Sequence, residues 1–368
     1  MMTRPWRCPP ADGYTVHVIT DTHIEDPGRK TNRVEAIRTD MRSLLPATLT
    51  NNKVTTLSGD LYHNMYSDDA YVRQRPASKA FLDDLAASDG TPQLYAVGNH
   101  ELWGDDGDGD HVAAYFGYPQ RTYSQDHGPL RFIVYSPKNN AEIGQGDPGT
   151  GAHGDWTIPA ATLDWIEDQI DSTPEGMHAV MVSHCPPLDQ FGYLEGFSLE
   201  PRDRVSAIMA KPKLVAWFTG HLHHWPSDPD CFKVVSGTAL IHGLSCGGTL
   251  PKSQLQPDHP VESVRVNASV FATYFPPGSA GGHRWECRVR DHDTRTWGTQ
   301  ATGYQHLWTL PLPDSTVAGE MQAAAESAMA VDGSVDVAGE VSMSASTRIK
   351  IHVPAYFTVI TSYSYLTG

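Results

Sequence analysis

Basic residues are scarce in this chain. Lysine and arginine number 27 against 43 aspartates and glutamates, a formal charge of −16 at pH 7. That balance excludes a general nucleic-acid binder, whose affinity rests on neutralising backbone phosphates; only a local basic patch would escape the argument. Long apolar runs are missing too. No stretch approaches the roughly 18 apolar residues of a membrane helix, so no membrane contact is expected. Residues 1–10 are polar and proline-rich without an apolar centre, so no secretory signal is expected. Cysteine is thin and scattered. Cys8, Cys185, Cys231, Cys246 and Cys287 form no C-x-x-C pair, which sets zinc-ribbon chemistry aside. The expectation is a cytoplasmic protein with reduced thiols. One disulfide among Cys231, Cys246 and Cys287 stays open.

The length, 368 residues, fits one large domain with an extension, or two domains. The ordered signal lies in short β-branched and apolar runs, each ending in a polar cluster. Residues 14–20 read as a buried strand ending in Asp21-Thr-His23. A basic stretch, Arg29 to Arg33, and a helix from about Val34 to Leu45 follow, stopped near Pro46. Residues 54–57 are a strand ending in Ser58-Gly59-Asp60. A helix covers about Ala77 to Ala87. Residues 93–97 are a strand ending in Gly98-Asn99-His100-Glu101. Further strands are read at 131–135, at 179–182 before Ser183-His184, and at 214–218 before Gly220-His221-Leu-His223. The helix at 159–170 carries Leu163, Ile166 and Ile170 on one face, a packing stripe.

Strands alternating with helices predict right-handed βαβ units and a parallel sheet. Ligands of such sheets bind at the carboxyl edge of the strands. After His224 the pattern changes to short strands with Gly/Pro turns, expected to form a second, more antiparallel sheet packed on the first. The acidic stretch Gly104 to Asp110 places Asp106, Asp108 and Asp110 like the opening of an EF-hand loop. Its sixth position is His111 and its twelfth Gly117, so a mobile acidic loop is expected there rather than calcium. A domain over 1–303 is expected. Residues 304–368 read as a β-rich extension without chemical motifs, suited to packing, to homo-oligomerisation or to assembly.

Asp21, His23, Asp60, Asn99, His100, His184, His221 and His223 all fall at strand ends. Singly, such residues cap helices, form turns or pack as hydrogen-bonded histidines. Five strand ends bringing them to one rim for unrelated reasons is a poor account. Imidazoles, carboxylates and one amide oxygen suit manganese, iron or zinc better than calcium. A carboxylate such as Asp60 can bridge two cations. Two ions about 4 Å apart can hold a hydroxide and clamp a phosphate in line with it. His100 would then protonate the leaving oxygen.

The order Asp21-x-His23, Gly59-Asp60, Gly98-Asn99-His100-Glu101, His184 and Gly220-His221-x-His223 resembles the calcineurin-like metallophosphoesterase superfamily, over about residues 14–295. The resemblance implies a two-sheet α/β sandwich flanked by helices. It implies one metal on Asp21, His23, Asp60 and His223 and another on Asp60, Asn99, His184 and His221, with manganese the preferred ion. His100 would be the proton donor. Tyr115-Phe-Gly117, Tyr123-Ser124, residues 131–134 and Leu163-Asp-Trp165 are similar to class III cyclic-nucleotide phosphodiesterases and their small-phosphatase relatives. Where many members read Gly-Asp-x-x-Asp, this chain reads Gly59-Asp60-Leu-Tyr-His63, similar to break-repair exonucleases of the same superfamily. His63 is therefore a candidate substrate contact. A phosphodiesterase acting on a small phosphate ester is the leading expectation. A nuclease, or a structural or virion-assembly protein carrying this module, is the alternative.

Overall fold

In the computed structural model the residues described are 13–24, 31–48, 52–62, 68–89, 91–102, 107–143, 156–188, 199–222, 231–244, 246–251, 263–297 and 307–313. In chain order the elements begin with β1 (Tyr14–Ile19), α1 (Thr31–Thr48), β2 (Asn52–Ser58), α2 (Asp68–Asp89) and β3 (Gln93–Ala96). Two short helices, α3 (Asn99–Leu102) and α4 (Gly109–Tyr115), precede β4 (Tyr123–His127), β5 (Leu130–Val134) and β6 (Trp156–Thr157). Then come α5 (Ala160–Asp171), β7 (His178–Val182), β8 (Leu199–Glu200), α6 (Arg202–Met209) and β9 (Leu214–Thr219). The rest is strand: β10 (Phe232–Val235), β11 (Thr238–His242), β12 (Cys246–Pro251), β13 (Ser263–Phe275), β14 (Arg284–Asp291), β15 (Thr296–Trp297) and β16 (Trp308–Pro311).

Two sheets result. The larger runs β15-β14-β13-β1-β2-β3, with β12 on β13 and β16 on β14. The smaller runs β10-β11-β9-β7-β5-β4, and β6 pairs with β8 apart from both. β1, β2 and β3 are parallel to one another, as are β5, β7, β9 and β11. The antiparallel strands flank these parallel cores on both sheets. The expectation of a separate antiparallel sheet after His224 is thus corrected: β10 and β11 join the sheet of β9, and β13 and β14 join that of β1. Apolar alternation states which faces are buried, not which strand is the neighbour, so the sorting was invisible in sequence.

Side chains alternate between two cores, as a strand's period of two requires. Val16, Val18, Val54, Phe132, Val180, Val182, Phe218, Val270 and Ala272 fill the layer between the sheets. Ile19, Leu57, Tyr95, Ile133, Met181 and Trp217 belong to the outer core, with Ile37 and Met41 of α1, Phe81 and Leu85 of α2, and the Leu163–Ile166–Ile170 stripe of α5. Trp285 of the larger sheet donates its indole N–H to the Val215 carbonyl of the smaller one (3.0 Å) and so pins the layers together.

A buried polar chain ties α1 to the larger sheet. Asp40 accepts both Arg290 N–H groups (2.8 and 2.6 Å) and lies 2.9 Å from His292 Nδ1. Ser269 Oγ then bridges His292 and His17. Helix α1 runs through Pro46 to Thr48, past the expected stop, and α2 extends beyond the expected span at both ends with Pro76 inside it. Asp108 caps α4 by accepting the Asp110 N–H (2.8 Å), so the second half of the expected acidic loop is a helix start. Cys231 and Cys287 are both buried, and Cys287 is a free thiol. β16 belongs to the larger sheet, so the boundary expected at 304 falls before one of its strands. Residues 314–368 lie outside the described residues. Among the described residues no helix is long and apolar enough to cross a membrane.

Candidate metal centre

Strands β1, β2, β3, β7 and β9 end on one edge. There the backbone pairing of β1 and β2 continues past the strands: Asp21 N–H reaches Gly59 O (3.0 Å), His23 N–H reaches Asp60 O (3.0 Å) and Ile24 N–H reaches Leu61 O (2.8 Å). The turns are strained. Six described non-glycine residues have positive φ, and four of them are here: Asp21 (51°), His23 (42°), Asp60 (53°) and His221 (74°). Each costs on the order of 1 kcal/mol and persists only where the surroundings over-determine it, as they do at functional sites. The strain turns these side chains off the strands toward a shared centre.

Two glycines let the strand ends approach. A Cβ on Gly59 (φ 83°) would stand 2.6 Å from His184 Nδ1. One on Gly220 would strike Thr20 Oγ1 and lie 2.7 Å from Asp21 Oδ2, so β9 of one sheet meets β1 of the other only because Gly220 has no side chain. His221 N–H then donates to Asp21 Oδ2 at 3.1 Å.

Asp60 is at the centre and almost wholly buried. Its Oδ1 accepts the His100 N–H (3.0 Å). Its Oδ2 stands 3.2 Å from His184 Nε2, 3.7 Å from His100 Nε2 and 3.9 Å from His23 Nε2. One carboxylate oxygen thus faces three imidazoles from three strand ends. The His23 and His100 rings meet edge-on at 4.6 Å, and those of His184 and His221 at 5.0 Å.

The donor set fits a cation. His184 Nδ1 lies 2.6 Å from the Ser58 carbonyl, which can only accept, so Nδ1 carries the proton. That leaves the Nε2 lone pair facing Asp60 Oδ2 and, at 3.1 Å, Asn99 Oδ1. Three electron-pair donors converge in a buried place, and a positive charge between them relieves the repulsion. Without a metal, a proton takes that role. Burial opposes the charged imidazole, yet Asp60, Asp21 and the Ser58 carbonyl push His184 up to about 9. Burial likewise opposes the Asp60 charge, but His184, His100 and His23 hold it well below the usual carboxylate range. Two groups have ligand atoms all within 4.8 Å of one another, His23–Asp60–His100 and Asp60–His184–His221, and they share Asp60.

The structure therefore gathers Asp21, His23, Asp60, Asn99, His100, His184 and His221 at one place. His63 and His223 lie outside the described residues. Three neighbours had no role in the sequence reading. Trp156 packs its indole on His184 (5.8 Å) and His221 (5.5 Å); it follows a Gly/Asp-rich stretch and no periodicity marks it. His242 ends β11 and lies 2.7 Å from Thr219 Oγ1, one residue before Gly220. Glu101 is buried beside Asn99 and His100, and its carboxylate accepts three backbone N–H groups: Asp60 (2.9 Å), Leu61 (2.5 Å) and Gly98 (2.6 Å). Burial and the Asp60 charge push it up to about 8, while His184 and the N–H groups of Gly98 and Asp60 draw it back. Its place after Asn99-His100 was the available signal.

A family model described as calcineurin-like phosphoesterase matches residues 14–225. Among solved structures, a dimetal phosphatase from Danio rerio is similar at 13% identity and a TM-score of 0.51, covering 82% of this chain and 99% of its own. GAP50, the anchor in the inner membrane complex of Plasmodium, is similar at 11% identity and a TM-score of 0.54, covering 85% of this chain and 94% of its own. At those identities the likeness is one of fold. No curated protein matches the chain. The family match spans more than half of the sequence and includes every gathered site residue, so the chain belongs to the calcineurin-like phosphoesterase family and is a metal-dependent phosphoester hydrolase.

Proposed function

We propose that the chain is a phosphodiesterase acting on a small phosphate ester. The observation that carries this reading is Asp60 Oδ2 set among His23, His100 and His184 within 4 Å of each. Asp21, His23, Asp60 and His223 would hold one divalent cation, and Asp60, Asn99, His184 and His221 the second. Manganese is the preferred ion, with iron and zinc as the alternatives. Such a pair supplies Lewis-acid neutralisation of phosphoryl charge and makes water acidic at neutral pH.

The chain's own residues supply the rest. The Ser58 carbonyl holds His184 in the tautomer that presents Nε2. The His100 N–H fixes Asp60 Oδ1 and leaves Oδ2 facing the three imidazoles. His100 keeps some exposure at the rim, and its ring would deliver a proton to the leaving oxygen. His63 would contact the substrate. The formal charge of −16 favours a small anion over a polynucleotide.

The second reading is a structural or assembly role, favoured by the likeness to a protein described as an anchor. Seven gathered ligand-type residues would have no use there. The test is hydrolysis of bis-p-nitrophenyl phosphate against p-nitrophenyl phosphate, with manganese and with chelator. Chelator-sensitive turnover of the diester is expected. Turnover of the monoester alone would replace the diesterase reading with a phosphatase. No turnover by a chain holding two metals would favour the assembly reading.

A further inference from the structure

We propose that Glu101 is a positioning residue for the Asp60 carboxylate. The idea rests on the metal-centre reading above and concerns how that centre is held. Glu101 is 2% exposed, and its carboxylate is turned onto the backbone rather than the cluster. Oε2 accepts from Asp60 N–H and Gly98 N–H, and Oε1 accepts from Leu61 N–H. A carboxylate offers about four acceptor positions, so three N–H groups leave it little capacity for a metal. Its own carbonyl accepts the Tyr62 hydroxyl at 3.2 Å, which anchors the other side of the residue.

The contacts are reciprocal. The turn after β3 gives Glu101 to the backbone of Asp60 and Leu61, and the turn after β2 gives Asp60 Oδ1 to the backbone of His100. Each turn is held by the other's carboxylate. The clasp closes around Gly98, where a Cβ would strike Asp60 Oδ1 and stand 2.8 Å from Glu101 Oε2. Asp60 keeps its strained φ of 53° in this grip. Three backbone N–H groups converge on the two side-chain oxygens of Glu101, two of them from the strained turn itself, so Glu101 offsets the strain that aims Asp60 Oδ2 at three imidazoles. Groups that orient ligands in this way typically change metal affinity or activity 10–100-fold when removed.

The variant is Glu101→Gln in the full chain. Its amide keeps one acceptor oxygen and adds a donor, so at least one of the three N–H groups loses its partner. Two readouts are made side by side. Amide hydrogen exchange in the chelated protein is expected to be at least tenfold faster at Leu61, or at Asp60 and Gly98, whichever pair of contacts the amide gives up. Manganese titration followed by electron paramagnetic resonance is expected to show at least tenfold weaker binding and loss of the spin-coupled pair signal. Activity on bis-p-nitrophenyl phosphate should fall in kcat with KM little changed. Should the glutamine variant fail to fold, Glu101→Asp keeps the carboxyl group and withdraws it by one methylene, and the same changes are expected. A folded variant with wild-type exchange and wild-type manganese affinity would overturn the proposal. A wild-type chain that bound no manganese would sink the metal-centre reading instead, and the exchange data on the clasp would stand apart from it.

Discussion

Raising the pH should weaken the metal-free protein and strengthen its hold on metal. His184 carries the argument. Its value in the fold is about 9 against an ordinary 6.5, because Asp60 and Asp21 outweigh the cost of burial. A raised imidazole adds stability that is fully present below 6.5 and is lost as pH climbs through 9. The gap is worth about 3 kcal/mol. Glu101, pushed up to about 8, titrates with the same sign, while Asp60 is fully ionised throughout this window. With chelator present, thermal midpoints should therefore fall between pH 6.5 and 9, by several degrees for a domain of this size.

Metal competes with that proton for His184 Nε2. Between pH 6 and 8 the apparent manganese affinity should rise at least tenfold per unit, with about one proton released per ion at this position. Calorimetric titration in two buffers of different ionisation heat counts the protons. A chelated midpoint that stayed flat or rose from pH 6.5 to 9, or metal binding without proton release at pH 7, would refute the reasoning about His184.

Other outcomes follow from the same geometry. Asp60→Asn removes the oxygen that faces three imidazoles, and His221→Ala removes a ring from the second group; each should lose bound metal and turnover together, read by elemental analysis and by diester hydrolysis. His100→Ala should retain its metal and lose about 10²-fold or more of kcat, and full turnover would remove its assigned role. Asp40→Ala strands Arg290 and His292 in the interior and should cost about 3 to 5 kcal/mol in denaturant unfolding. The folded fraction of that variant should keep its kcat, since Asp40 acts beneath α1 and away from the metal centre.

The strand ends were legible because chemistry and folding write to the same positions there. A β-branched run followed by Asp21-x-His23 or Gly98-Asn99-His100 announces both a strand and its use. Val16 and Val18 alternate with His17 and Ile19 as a two-faced strand must, and Leu163, Ile166 and Ile170 are spaced for one helix face. Partnership was harder to read. β13 joins β1 across some 250 residues of sequence, and nothing in its alternation names that partner. The two-residue strands β6 and β8 carry too little pattern to register. Glu101 was visible as a letter but not as a function, because its work is done through other residues' backbone N–H groups. Trp156 and His242 reach the site through tertiary placement alone. The positive φ of Asp21, His23, Asp60 and His221 has no counterpart in sequence, since only glycine announces such a conformation.

The central claim is that Asp60 joins two cations at one carboxyl edge. Equilibrium manganese content per chain, measured on the wild type and on Asp60→Asn at matched free manganese, tests it most directly. The account predicts two ions per wild-type chain with a spin-coupled signal, and loss of both ions or of the coupling in the variant. A wild-type chain that holds one ion or none at saturating manganese, or a variant that keeps a coupled pair, would contradict it.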